Sequence, residues 1–306
     1  MRSAEVSFDS DGCAMAGTFT EATAPVAAAL LVTGSGRINR DSDMRGLRLG
    51  VTRAVAEALA DAQVSTLRYD KRGVGASGGD YLRTGMDQRF ADARAGLGWL
   101  ADHAPGLPLL LVGHSEGTLY AARLAGEDGV AGVVLLSGPA RPGSAVLTWQ
   151  TEQLATRLPW AAKVFIRVTR TDVVRTQRRR MGRIRASRAD VMRVQGVRIN
   201  ARWIRDFAAY DPAPALARIT VPVLAITGGQ DLQVPPEDVE AVGRLVGGPF
   251  EGHVPEGISH LLRPDPQGTG PRGYRRAVRQ PVGPEVLGLV TDWVAEHWQA
   301  PGVGTP

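Results

Sequence analysis

The sequence predicts an α/β protein: a twisted, mostly parallel sheet flanked by helices. Three observations carry this. Short unbroken apolar runs recur, as at 26–32, 109–112 and 130–136, which suits strands buried on both faces. Segments with apolar residues at helical spacing lie between them. The runs close on turn residues, among them Thr33-Gly34-Ser35-Gly36, Ser137-Gly138-Pro139 and Gly228-Gly229.

Taken in order, residues 4–20 alternate around Asp9-Ser10-Asp11-Gly12 and predict an antiparallel hairpin. A strand over 26–32 follows, then a helix over 47–60 with Leu47, Val51, Val55 and Leu59 on one face. Residues 63–69 read as a strand that runs into the loop Asp70-Lys71-Arg72-Gly73-Val74-Gly75. Met86, Phe90, Ala93, Leu97 and Leu100 mark a second helix. The strand before Ser115, its helix to about Ala125 and the strand at 130–136 continue the alternation. From about 140 to 206 no strand–turn–helix unit is visible, helical patterns dominate and arginine is dense. Strands are expected again at 221–227 and 250–254, with a helix around Val239 and Val242 between them. A last amphipathic helix follows Pro284. Residues 263–284, rich in Pro, Gly and Arg, read as a loop.

The 306 residues suit one large domain, or one with an insertion, and 43% hydrophobic content supports a sizeable core. A single cysteine, Cys13, excludes an internal disulfide framework and a cysteine-based zinc cluster. No run approaches the roughly 18 apolar residues of a membrane span. The start lacks the apolar stretch of a secretory signal, so a cytoplasmic protein is expected. The net charge of +5 is carried by arginine, since Lys71 and Lys163 are the only lysines. It permits anionic partners without requiring them.

The chemistry is expected at Gly113-His-Ser-Glu-Gly117, which fits G-x-S-x-G between a strand and a helix. Such a turn puts the Ser115 hydroxyl free at the sheet's carboxyl edge, beside a helix N-terminus that favours developing negative charge. A serine nucleophile needs a base, an acid to orient the base, and oxyanion donors. His260 is the candidate base. Of the other four histidines, His114 lies inside the turn and is expected to point away, and His253 is expected within a strand. His103 and His297 belong to helices or their ends. Asp231 is the candidate acid; Asp238 falls within a helix and Asp265 follows His260. The N–H groups of Glu116 and Ser35 are the candidate oxyanion hole.

By these residues the chain resembles serine hydrolases of the α/β-hydrolase superfamily, and is similar to carboxylesterase-like and serine-aminopeptidase-like members. The resemblance rests on Thr33-Gly-Ser-Gly-Arg-Ile-Asn-Arg-Asp41, Arg68-Tyr-Asp-Lys-Arg-Gly-Val-Gly75 and Gly113-His-Ser-Glu-Gly117. It extends through Tyr210-Asp-Pro-Ala-Pro-Ala-Leu216, Gly229-Gln-Asp-Leu-Gln-Val-Pro235 and Ser259-His260. It implies a hydrolase core over 1–139 and 207–306 with a helical, arginine-rich cap over 140–206. It also implies a structural role for Asp70, Arg72 and Gly73. Many relatives carry His-Gly where this chain has Thr33-Gly34, so the anchoring of that loop must differ.

The expected reaction is cleavage of a small-molecule ester through an acyl-enzyme, with no cofactor or metal, no nucleic acid and no membrane span; a homodimer is left open. Trp149, Trp160, Phe165, Trp203 and Phe207 offer an apolar wall in the cap, or simply pack its helices. The arginines offer an anion site, or a solvated face. An aminopeptidase or amidase would use the same three residues, but needs an acid for the substrate's α-amine, such as Glu116 or one in the cap. A binding protein that grips anions on a hydrolase scaffold is the third reading.

Overall fold

The computed structural model describes residues 1–156, 173–265, 267–269 and 273–298. A hairpin of β1 (Arg2–Ser10) and β2 (Cys13–Glu21) opens the chain, turning at Asp11 and Gly12, both at positive φ. Six further strands join it in one sheet: β3 (Ala27–Val32), β4 (Val64–Tyr69), β5 (Leu109–His114), β6 (Val130–Leu136), β9 (Val223–Ile226) and β10 (Phe250–His253). The order is β1-β2-β4-β3-β5-β6-β9-β10. From β4 to β10 all neighbours are parallel; β2 alone meets β4 antiparallel.

Successive residues of each central strand feed opposite layers, as the two-residue period of a strand demands. Ala28, Leu30, Leu109, Leu111, Val133 and Leu135 pack on one side, with α2 (Met86–His103), α3 (Glu116–Leu124) and α8 (Asp238–Leu245). Ala27, Ala29, Leu31, Leu110, Val112 and Val134 pack on the other, with α1 (Val51–Asp61) and α10 (Pro284–His297). Each helix buries the stripe its spacing dictates: Val51, Val55 and Leu59 in α1, and Val286, Val290, Trp293 and Val294 in α10. Full burial of such side chains contributes about 1.5–3 kcal/mol apiece. No described helix is long and apolar enough to cross a membrane.

Between β6 and β9 lie α4 (Gly143–Thr156), α5 (Val173–Ala186), a hairpin of β7 (Val191–Val194) and β8 (Val197–Asn200), α6 (Ala201–Ala209) and α7 (Ala213–Leu216). The hairpin departs from the purely helical expectation. Gln195 and Gly196, both at positive φ, supply its two-residue turn. Several contacts among the described residues pin the segment to the core. Arg141 pairs with Asp238 at 2.5 Å, and the Asn200 amide donates to the Tyr81 and Thr84 carbonyls at 2.7 and 2.8 Å. A side chain on Gly143 would run into the Phe207 carbonyl, so α4 and α6 touch there backbone to backbone. A helical turn, α9 (Tyr274–Ala277), interrupts the loop expected over 263–284.

Candidate active site

Ser115 joins β5 to α3 at φ 53° and ψ −119°, a region where non-glycine residues are strained. The glycines of the box are required by contact rather than by turn geometry. A Cβ on Gly113 would fall 2.5 Å from the Thr118 N–H nitrogen, and one on Gly117 2.1 Å from the Val32 carbonyl oxygen. Helix α3 therefore lies flush against the ends of both β5 and β3. The Ser115 N–H donates to the Leu136 carbonyl at 2.8 Å, and its own carbonyl accepts the Thr118 hydroxyl at 2.6 Å.

His260 follows β10 and is 5% exposed. Its Nδ1 meets Asp231 Oδ2 at 2.8 Å. Asp231, after β9, is itself held: its Oδ1 accepts the N–H groups of Gln233 and Val234 at 2.7 and 2.9 Å. A carboxylate so fixed at Nδ1 leaves Nε2 of the ring as the basic nitrogen. Ser115 and His260 both line one cavity of about 140 Å³, together with Gly34 and Ser35.

The rejected alternatives have other partners. Asp238 binds Arg141 and the Ala140 N–H, and Asp265 accepts the Thr269 hydroxyl. His253 sits in β10 beside Glu251, as its strand position implied. His103 and His297 each turn Nδ1 to a carbonyl of their own helix.

His114 is a correction. Rather than pointing away, it lines the Ser115 cavity, and its Nε2 meets the His260 carbonyl at 2.9 Å. Burial, then the neighbouring His260, lowers its pKa to about 3, so the ring is neutral and Nε2–H is the donor. The box thereby ties the loop of His260 to the strand of Ser115.

Glu116 faces two ways. Its N–H opens α3, beside Ser115, and its carboxylate is 3% exposed behind the turn. Three donors make four contacts with that carboxylate: Arg89 Nη1 at 2.9 and 3.0 Å to its two oxygens, Tyr120 Oη at 2.5 Å and Trp203 Nε1 at 2.6 Å. Burial alone would raise its pKa, but the charges of Arg89 and Lys71 and these bonds outweigh it and hold the pKa low. So Glu116 is a buried anion without room for a substrate amine.

Asp70, Arg72 and Gly73 have the structural places expected. Asp70 binds the Arg40 guanidinium and N–H at 2.8 Å each and the Ala76 N–H at 2.9 Å; Arg72 pairs with Asp92. Lys71 between them, which the sequence reading passed over, is 6% exposed and binds the carbonyls of Gly34 and Gly36. Burial, then Arg89, lowers its pKa to about 7, against the pull of Glu116.

The cavity's apolar wall comes from Ile38, Met44, Leu49, Val51 and Leu261, and among the described residues no aromatic of the insertion joins it. Trp203 stacks on Phe207 and spends its N–H on Glu116. Trp149 lies on α4; Trp160 and Phe165 fall outside the described residues.

The sequence profile of the family described as serine aminopeptidase, S33, matches residues 46–267. Esterase EstD of Thermotoga maritima is 26% identical over 228 residues, 73% of this chain and 51% of that protein, so the chain spans about half the length of this curated relative. The fold is that of Est1E from Butyrivibrio proteoclasticus, solved with ferulic acid: TM-score 0.62, 18% identity, covering 95% of this chain and 98% of that one. The esterase domain of a Rhodothermus marinus protein superposes with a TM-score of 0.61 at 18% identity, over 97% of this chain and 99% of that one.

Proposed function

The chain belongs to the serine aminopeptidase family of α/β-hydrolases, and from that premise we propose that it is a serine esterase, with Ser115 as nucleophile, His260 as base and Asp231 as the acid that orients it. Ser115 Oγ attacks the ester carbonyl carbon while His260 Nε2 takes the hydroxyl proton. The N–H groups of Ser35 and Glu116 receive the oxyanion. As the tetrahedral adduct collapses, the alcohol leaves with the proton from His260, and an acyl-Ser115 ester remains. Water then repeats the attack through His260 and frees the acid. Asp231 stabilises the imidazolium throughout and is not itself protonated.

One observation carries the reading. A histidine bound through Nδ1 to a buried carboxylate at 2.8 Å shares a cavity with a serine held at φ 53°. Ester cleavage is favoured over aminopeptidase action because the Glu116 carboxylate is already saturated, and no acidic residue lines the cavity among the described residues. The cavity, about 140 Å³ in volume, suits a short acyl chain.

Residues 140–206 would act as a cap, the Gln150 amide reaching the Gln233 carbonyl on the cavity wall at 3.0 Å. A cytoplasmic, cofactor-independent enzyme is consistent with this reading.

Turnover of p-nitrophenyl acetate and butyrate, with labelling of Ser115 by a fluorophosphonate, is the test. Both should vanish in a folded Ser115→Ala variant, and aminoacyl anilides should be poor substrates. Turnover that survives the substitution would refute the assignment.

A further inference from the structure

One contact beside the site has no part in the scheme above. Lys71 Nζ donates to the Gly34 carbonyl at 2.5 Å and to the Gly36 carbonyl at 2.7 Å. These two carbonyls bracket Ser35. We propose that Lys71 is a positioning residue that sets the Gly34–Ser35 peptide so that its N–H faces the oxyanion. This rests on the serine hydrolase reading of the same site.

A trans peptide points its C=O and its N–H to opposite sides, and no peptide here is cis among the described residues. Tying the Gly34 oxygen to Lys71 therefore turns the Ser35 N–H away from Lys71. Gly34, Ser35 and Ser115 line the cavity, whereas Lys71 does not. The opposite side from Lys71 is thus the side of Ser115. The approach is close: a Cβ on Gly34 would fall 3.1 Å from Ser115 Cβ.

Local backbone preference alone does not fix this peptide: Gly34, whose ψ sets its orientation on one side, has no side chain to restrict that rotation. A flipped peptide would aim a carbonyl oxygen at the developing anion and exchange attraction for repulsion. No backbone or side-chain acceptor holds the Ser35 N–H among the described residues. The residue type fits the task. Arginine serves almost everywhere else in this chain, but a guanidinium is a rigid planar fork. An amine on a flexible stem can turn two N–H bonds toward two adjacent carbonyls. Charged or neutral, it carries at least two such bonds.

The test uses p-nitrophenyl butyrate and the full chain. Lys71→Met should lower kcat roughly 10–100-fold, below the roughly 100–1000-fold for removal of a whole oxyanion donor because the N–H is misplaced rather than deleted, with KM changed less than about twofold. The inhibition constant of butylboronic acid, whose adduct carries the tetrahedral oxygen, should rise in parallel with the fall in kcat. In a Cys13→Ser background, Lys71→Cys alkylated with 2-bromoethylamine rebuilds the amine and should recover most of the loss. Lys71→Gln, read in the same way, covers failure of the methionine variant to fold. Unchanged kcat, or lost kcat with unchanged boronate affinity, or no recovery on alkylation, would overturn the clamp. Those outcomes, in an enzyme whose Ser115 still reacts with a fluorophosphonate, leave the hydrolase reading standing. A wild-type chain that neither turns over esters nor reacts at Ser115 sinks both.

Discussion

At the carboxyl ends of the strands, Thr33, His114, Asp231 and His260 are each under a tenth exposed, and the last three are held by bonds to one another or to nearby backbone. Between β6 and β9, by contrast, Arg179, Arg183, Arg185 and Arg188 stand exposed. There, among the described residues, the segment meets the core at Arg141, Val146, Gln150, Asn200, Trp203, Asp206 and Phe207. The rim is over-determined, so a small displacement breaks several bonds at once. The segment can change much of its surface without disturbing the rim. Reactive groups belong on the first kind of support, and variable recognition on the second.

The comparison can be broken from its strong end. Asp231→Asn keeps the shape of the side chain but removes the charge that favours the Nδ1–H tautomer, and should lower kcat about 10⁴-fold, measured on p-nitrophenyl butyrate. Gly117→Ala drives a methyl into the Val32 carbonyl and should cost about 3 kcal/mol or more, read as a fall in the urea midpoint. A midpoint left unchanged would show that β3 and α3 can part freely.

Lys71 makes the stability of the rim depend on pH. Its folded pKa of about 7 lies below the ordinary 10.5, so the unfolded chain binds more protons between those values. Its burial destabilises the fold fully below pH 7, and that cost is lost as pH rises toward 10.5. The stability of the wild type relative to Lys71→Met should therefore climb over that interval, as urea unfolding at pH 6.5, 8.5 and 10 would reveal. A flat difference would contradict it.

Smaller effects belong to the segment between β6 and β9. Trp203→Phe removes one donor from the Glu116 carboxylate and should cost about 1–2 kcal/mol, with a modest fall in kcat. Arg183→Gln, on the open face of α5, should change stability by less than about 0.5 kcal/mol and leave ester turnover intact. A large loss in that last variant would mean that the arginines carry substrate.

What was legible in the chain follows the same division. Continuous apolar runs marked β3 and β6 to within a residue and β5 to within two, because strands covered on both faces admit little else. Positions after strands singled out Ser115, Asp231 and His260. The β7–β8 hairpin was not legible. Its strands are four residues long and mostly half-exposed or exposed, and Gln195-Gly196 is a weaker turn signal than Asn-Gly. The other omissions were matters of direction. Nothing in the spacing says that His114 turns back toward the cavity, or that the Glu116 carboxylate folds inward onto Arg89. Lys71 did leave a trace, as one of two lysines in a chain that otherwise uses arginine.

The backbone at Ser115 has a consequence for the stability of the chain. Glycine would adopt φ 53° without penalty, so the fold would be more comfortable with no side chain there. On the proposed reading, the hydroxyl on that uncomfortable bend exchanges repose for reactivity.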